Sequence, residues 1–397
     1  MPKTHITGLS LDPDIDREVL NLDIRIKNEE SGDSLVITVL NGENEVLNQE
    51  TSIRESIQLN IPNPRLWSPQ HPFLYDLSIN IKREGKIIDE IKSYFGMRKI
   101  SLMEDDEGYK RIALNNKILF QYGVLDQGYW PDGLYTAPTD EALKYDIKMA
   151  KKLGFNMIRK HVKVEPARWY YHCDRLGMLV WQDMPNGGRL TLLSMALGAF
   201  RRDRKHVDKR KEPGKQDFKE ELRDMINFLY NHPSIVVWVP FNEGWGQFNT
   251  KKVVEALHAQ DPSRLIDPAS GWHDMPVGDI CDCHKYLGPA LPENARDRAA
   301  VCGEFGGLGL KIEDHVWPKR FRFVYKKLKS EEQLLKKYAE LVTKVKDLIP
   351  QGLAAAVYTQ LTDVEGEING LLTYDREKVK GDIEKFREIN ESTYLSS

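Results

Sequence analysis

Two glutamates stand where a carboxylate can do chemistry. Glu243 lies in Phe241-Asn242-Glu243-Gly244-Trp245-Gly246, just after the apolar run Ile235-Val236-Val237-Trp238-Val239-Pro240. Glu304 lies in Gly303-Glu304-Phe305-Gly306-Gly307, just after Ala299-Ala300-Val301-Cys302. Each acid follows a stretch that reads as a buried strand and precedes glycines, which let backbone and ligand approach closely. Two acids on different strands of one barrel can face each other across a pocket, and hydrolysis of a glycosidic bond needs that pairing. One carboxyl would protonate the leaving oxygen while the other attacks the anomeric carbon or activates water. Either acid taken alone would serve equally as a neighbour of a helix N-cap or as a salt-bridged rim residue.

The elements that must hold these acids are legible from periodicity. Up to about residue 100 the chain alternates with period two: Leu20, Leu22, Ile24 and Ile26 point one way, as do Tyr75, Leu77, Ile79 and Ile81. Polar turn clusters such as Glu29-Glu30-Ser31-Gly32-Asp33 separate these runs, the pattern of an immunoglobulin-like β-sandwich. From about residue 112 the rhythm becomes strand, then helix, repeated. Strands are expected at Lys117–Val124, Phe155–Ile158, Met178–Trp181, Ser234–Pro240, Arg264–Ile266, Asp279–Cys283, Ala299–Cys302 and Leu353–Tyr358. Helices are expected after Thr139, over Pro166–Leu176, over Phe218–Tyr230 and after the capping box Ser330-Glu331-Glu332-Gln333. Eight continuous apolar strands alternating with helices predict a (β/α)₈ TIM barrel. The expected organisation is a β-sandwich over 1–103 and a barrel carrying the catalytic groups over 104–397.

Composition narrows the class. With 57 Lys+Arg against 60 Asp+Glu over 397 residues, the net charge of -3 gives no electrostatic footprint for nucleic acid or an acidic membrane surface. No apolar run approaches the roughly eighteen residues of a membrane span. Four cysteines are too few for a disulfide framework, which points to a reducing, cytoplasmic setting.

Several further motifs occur in order and resemble glycoside hydrolase family 2, the family of β-galactosidases, β-mannosidases and β-glucuronidases. Arg65-Leu66-Trp67-Ser68-Pro69 with Phe73-Leu74-Tyr75 resembles the late part of its immunoglobulin-like domain, and Phe95-Gly96-Met97-Arg98-Lys99-Ile100 the segment leading into its barrel. Gly154-Phe155-Asn156-Met157-Ile158-Arg159 and Asp174-Arg175-Leu176-Gly177-Met178-Leu179-Val180-Trp181 resemble its second and third barrel strands. The resemblance implies a retaining β-glycosidase without a cofactor, with Glu243 as general acid/base and Glu304 as nucleophile. It further implies that Asn242 bonds the sugar 2-hydroxyl, that Arg159 lies near the nucleophile, and that Tyr286 donates to it. Glu243 should then carry a raised pKa while Glu304 stays charged, with the two carboxyls roughly 5–5.5 Å apart. Pro2 to Asp14 resembles the family's connector into its second domain, so the chain is expected to lack the N-terminal jelly-roll sugar-binding domain. The competing reading is a truncated, catalytically weak carbohydrate-binding or partner-docking remnant. Which sugar is bound, and the oligomeric state, stay open.

Weaker signals surround these motifs. His161 and His284 are candidates to bind sugar hydroxyls, and Trp245 to wall the pocket. Tyr129, Trp130, Tyr135 and Trp181 offer rings for sugar stacking or for packing at the barrel mouth. Cys281-Asp282-Cys283-His284 looks briefly like a metal cluster, but alternation on a strand turns His284 away from the two thiols, so no metal is expected. The basic run from Arg201 to Lys211 reads as an exposed loop.

Overall fold

Alternating apolar residues build the first of two compact units in the computed structural model, which describes residues 2–187, 210–293, 295, 297–317 and 326–395. This unit comprises Met1–Lys99 with Asp174–Gly177 and Phe228–Ser234. Its strands are β1 (His5–Asp14), β2 (Val19–Lys27), β3 (Ser34–Asn41), β4 (Asn44–Ser52), β5 (Ser56–Asn60), β6 (Tyr75–Arg83) and β7 (Lys86–Phe95). They pair antiparallel in two sheets, β1-β2-β5 and β4-β3-β6-β7. Leu20, Leu22 and Ile24 share one buried core with Leu35, Ile37, Val39, Leu77, Ile79 and Ile81. The period-two reading therefore delivers the sandwich.

The second unit begins with a small antiparallel sheet that the sequence reading did not foresee. It joins β8 (Ile100–Glu104), β9 (Lys110–Leu114) and β10 (Lys117–Ile118). Eight parallel strands follow: β11 (Gln121–Asp126), β12 (Met157–Lys160), β13 (Leu179–Asp183), β14 (Ile235–Val239), β15 (Leu265–Ile266), β16 (Ile280–Lys285), β17 (Ala299–Gly306) and, past the short β18 (Leu308–Leu310) and β19 (Lys326–Leu328), β20 (Leu353–Thr359). Their order is β15-β14-β13-β12-β11-β20-β17-β16. The edge between β15 and β16 is closed by Asp279, whose N–H donates to the Ile266 carbonyl at 2.9 Å. Nearly every strand residue is buried, as a sheet covered on both faces requires. The fold is an immunoglobulin-like sandwich followed by a TIM barrel. No helix among the described residues is long and apolar enough to cross a membrane.

Helices α1 (Asp140–Lys152), α2 (Ala167–Leu176), α3 (Glu212–Leu229), α4 (Thr250–Gln260) and α5 (Glu331–Leu348) lie between these strands, and α6 (Ile383–Glu391) follows the last of them. Thr139 caps α1, its side chain accepting from the Ala142 N–H, with Asp140 and Glu141 in the first turn. Ser330 caps α5 from Gln333 N–H, while the Gln333 side chain reaches back to Lys329 N–H. Several expected boundaries move, the first barrel strand among them, which is Gln121–Asp126 and separate from Lys117–Ile118. α3 starts at Glu212 rather than Phe218, because Pro213 suits a first turn. The second barrel strand is Met157–Lys160, two residues later than expected. The seventh runs on to Gly306, so Glu304 lies inside a strand and not beyond its end. Of the basic run, residues 201–209 lie outside the described residues.

Candidate active site

The C-terminal ends of the barrel strands gather the groups that the sequence singled out. Arg159 is fully buried on β12. Its Nε and Nη2 each donate to one carboxylate oxygen of Asp183 at 3.0 Å, a bidentate grip at the end of β13. Nη2 also donates to Asn242 Oδ1 at 2.7 Å, and Nη1 donates to the Gly303 carbonyl at 3.2 Å and lies 3.5 Å from Glu304 Oε1. One guanidinium thus ties together β12, β13, the loop after β14, and β17.

The loop carrying Glu243 is held from below and beside. Phe241 is buried and stacks on Phe218 of α3, with ring centroids 5.1 Å apart. Ser270, in the loop after β15, accepts from the Glu243 N–H at 2.8 Å and donates its own N–H to Phe241 at 2.9 Å. Glu243 itself adopts φ 51°, a left-handed conformation that costs a non-glycine residue energy and is concentrated at functional positions. Register shifts flank Glu304 in the pairing of β17 with both neighbours, and such bulges re-aim side chains.

The two acids meet around Tyr286. Its hydroxyl lies 2.8 Å from Glu243 Oε1 and 2.9 Å from Glu304 Oε2. His284 Nδ1 sits 2.9 Å from Glu243 Oε1 and 3.5 Å from Glu304 Oε1. Oxygens of the two carboxylates lie within 4.8 Å of each other. On the far side of the ring, His284 Nε2 is 2.9 Å from the Ser270 hydroxyl, which in turn bonds Asp282 Oδ2. Alternation on β16 explains why Asp282 and His284 share this inner face, while Cys281 and Cys283 turn away toward Glu293 and Ala290 carbonyls.

Electrostatics departs from expectation at Glu304. Burial pushes its carboxyl up to about 7, against the pull of His284 and Arg159. The expectation that Glu304 stays charged meets an opposing force here, since desolvation favours the neutral carboxyl. Burial also acts to lower His284, yet Glu304, Asp282 and Glu243 outweigh it and hold the imidazole well above its ordinary value. His161 moves the other way, lowered by burial and by Arg159 and His284. Its Nε2 accepts from Asn242 Nδ2 at 3.1 Å and stands 3.7 Å from Glu304 Oε1.

The structure therefore brings Asn242, Glu243, Arg159, His161, His284, Tyr286 and Glu304 into one cluster. His284 is fully buried with both ring nitrogens engaged, so it orients Glu243 directly. Trp245 is half-buried, its carbonyl accepting from Asn186 at 2.6 Å. Trp181 is wholly buried and donates to Gln121 at 2.6 Å, which assigns it to packing. Trp130 lies beneath the Arg376 guanidinium, 3.9 Å from its centroid. Sequence reading missed Asp183 and Ser270, and Glu367, whose carboxylate accepts from Gln360 at 2.7 Å and is pushed up by burial. Asp183 ends a barrel strand, and that position alone was a signal. Ser270 follows a two-residue strand and carried none.

Glu243, His284 and Glu304 converge closely enough to suggest a metal set. Hydrogen bonds already account for this convergence, with His284 Nδ1 on Glu243 and the Tyr286 hydroxyl between the two carboxyls. A second group, His315, Asp375 and Glu377, is drawn together by a hydrogen bond between His315 Nδ1 and Asp375 at 2.7 Å.

Comparison with known proteins gives the family. Residues 4–98 match the model described as glycosyl hydrolases family 2, and residues 109–296 match the glycosyl hydrolases family 2 TIM barrel domain. A β-glucuronidase of Bacteroides fragilis is 31% identical over 235 residues, covering 56% of this chain and 31% of that protein. A β-galactosidase of Leuconostoc mesenteroides is 25% identical over 305 residues, covering 70% of this chain and 27% of that one. The chain thus spans less than a third of the length of either relative. Among solved structures, β-glucuronidase of Bifidobacterium dentium complexed with coumarin-3-O-glucuronide superposes with a TM-score of 0.76 at 17% identity, over 98% of this chain and 67% of that one. That likeness is one of fold.

Proposed function

The chain belongs to glycosyl hydrolase family 2, and from that premise we propose that it hydrolyses β-linked O-glycosides by a retaining double displacement. The observation that carries the reading is the closeness of the acids, an oxygen of each lying within 4.8 Å of one of the other and each acid reaching the Tyr286 hydroxyl. Retaining enzymes keep their carboxyls about 5–5.5 Å apart, whereas inverting enzymes need about 6.5–9.5 Å to admit a water.

Glu304 attacks the anomeric carbon while Glu243 protonates the departing oxygen. Glu243 then takes a proton from water, which cleaves the glycosyl ester and regenerates Glu304. Arg159, 3.5 Å from Glu304, stabilises the ionised nucleophile that attack requires. Asn242 spends its carbonyl on Arg159 and one N–H on His161, leaving a second N–H to meet the sugar 2-hydroxyl. The named relatives act on glucuronides and galactosides, and a β-linked sugar of this kind is the proposed substrate class.

Trapping tests this reading. Incubation with 2-deoxy-2-fluoro β-glycosides bearing a good leaving group should add one sugar to the peptide containing Glu304. Labelling of Glu243 instead, or unlabelled protein with continuing turnover, would contradict the assigned roles.

A further inference from the structure

The loops that follow β14 and β15 lock together over Gly244, the residue after Glu243. Gly244 sits at φ 75°, and the His273 imidazole lies against it. A Cβ on Gly244 would overlap His273 Cδ2 and come to 3.4 Å from Nε2. His273 is itself left-handed, at φ 56°, as Glu243 is at 51°. Such conformations cost energy in a residue other than glycine, and they collect at ligand clamps and active sites. A plain alanine at 244 would fill part of this space, yet the chain uses two left-handed residues and a glycine to bring a ring there.

The backbone around that ring is fixed from both sides. Gln247, buried in the Glu243 loop, donates to the His273 carbonyl at 3.2 Å and to the Thr250 hydroxyl at 2.9 Å. Asp274, the next residue, takes both terminal nitrogens of Arg298, at 2.8 and 2.7 Å. The result is a half-buried imidazole held beside the acid. Trp272 precedes it in the chain and Trp245 follows Gly244, and both are half-buried as well.

A general acid delivers its proton to the glycosidic oxygen, so the leaving group departs on the acid's side of the bond. Gly244 and His273 border that side. We propose that His273 is a specificity residue for the leaving group, and that this group is a second sugar unit; the inference rests on the glycosidase reading above. An aryl leaving group would need only apolar rings. An imidazole between two tryptophans adds a hydrogen-bonding partner for hydroxyls to faces on which a pyranose stacks. In the first displacement the bond from the anomeric carbon to the glycosidic oxygen breaks, Glu243 gives that oxygen its proton, and His273 holds the departing sugar. In the second, the same place receives a hydroxyl from water or from another sugar. Its oxygen bonds the anomeric carbon as the ester to Glu304 breaks, and its proton passes to Glu243.

Binding and transfer test this on the full chain. Calorimetry would compare β-S-linked analogues of lactose, cellobiose and mannobiose with the methyl β-thioglycosides of the same sugars, which resist cleavage. The parent should bind one S-linked disaccharide about tenfold more tightly than its methyl counterpart, and His273→Asn, whose side chain tolerates the left-handed backbone, should lose that margin. Trp272→Ala should shrink the same margin and carries the comparison if His273→Asn unfolds. With an aryl β-glycoside as donor and a free sugar as acceptor, the ratio of sugar transfer to hydrolysis should fall about tenfold in His273→Asn. No margin in the parent, or a margin unchanged in both variants, would overturn the subsite whatever the aryl rates. Transfer that falls only in step with hydrolysis would reduce His273 to loop packing. If no aryl glycoside is cleaved, the glycosidase reading fails, while the disaccharide margin still decides the subsite.

Discussion

Asp183 grips Arg159 with both carboxylate oxygens at 3.0 Å, and neither side chain reaches solvent. The pair leaves Nη1 aimed at Glu304 and the Gly303 carbonyl, while Nη2 also holds Asn242. Removing one partner of a buried ion pair leaves an uncompensated charge, at a cost of about 3–5 kcal/mol. Asp183→Ala should therefore lose stability of that order in urea unfolding and lose most activity. Stability within about 1 kcal/mol of the parent would show that the pair does not hold the site together.

Stability should fall as the solution turns from mildly acidic to mildly basic. Glu304 rises from 4.5 to about 7 on folding, so between those values the folded chain binds more protons than the unfolded one. Stability then declines with rising pH across that window. His284 is raised well above 6.5, and its contribution is present below that value and lost as pH climbs through its folded pKa. Both signs agree. Thermal unfolding of the parent should drop in Tm from about pH 5 to about pH 8, and Glu304→Gln should flatten part of that slope. Equal slopes in the two proteins would contradict the assignment.

Gly303 is held to glycine by its neighbour. A Cβ there would run into the Asp282 carboxylate, to which the Gly303 N–H donates at 2.5 Å. Gly303→Ala should push Asp282 away from Ser270, costing roughly 1–3 kcal/mol and lowering kcat through the His284–Glu243 contact. A variant with unchanged stability and kcat would show that this packing is slack.

Thr139 provides a control remote from the cluster. Its side chain caps α1 through Ala142 N–H at 3.1 Å. Thr139→Ala should cost about 1 kcal/mol, read in urea unfolding, and leave kcat/KM unchanged below the unfolding temperature. A change in kcat/KM would tie α1 to the chemistry.

Much of this was legible in the residues themselves. Strands such as Ile235–Val239 announced themselves by unbroken apolar character, and Thr139 and Ser330 by their capping chemistry. The two acids were visible because strand ends are where a barrel places function. Ser270 was not, since its importance lies in a side chain brought beside His284 from another strand, whereas Asp183 ends a strand and went unread. Trp181 read equally as a stacking ring or as packing, and its burial and bond to Gln121 favour packing. The upward push on the Glu304 carboxyl was the most hidden feature, because it depends on burial that periodicity does not measure.

The central claim, that Glu243 and Glu304 form a working retaining pair, is tested most directly by chromogenic aryl β-glycosides. Purified chain would be assayed on galactoside, glucuronide, glucoside and mannoside, with Glu304→Gln alongside. The account predicts chromophore release from at least one of them, abolished in Glu304→Gln. A folded chain that cleaves none, or a Glu304→Gln variant that cleaves as fast as the parent, would contradict it.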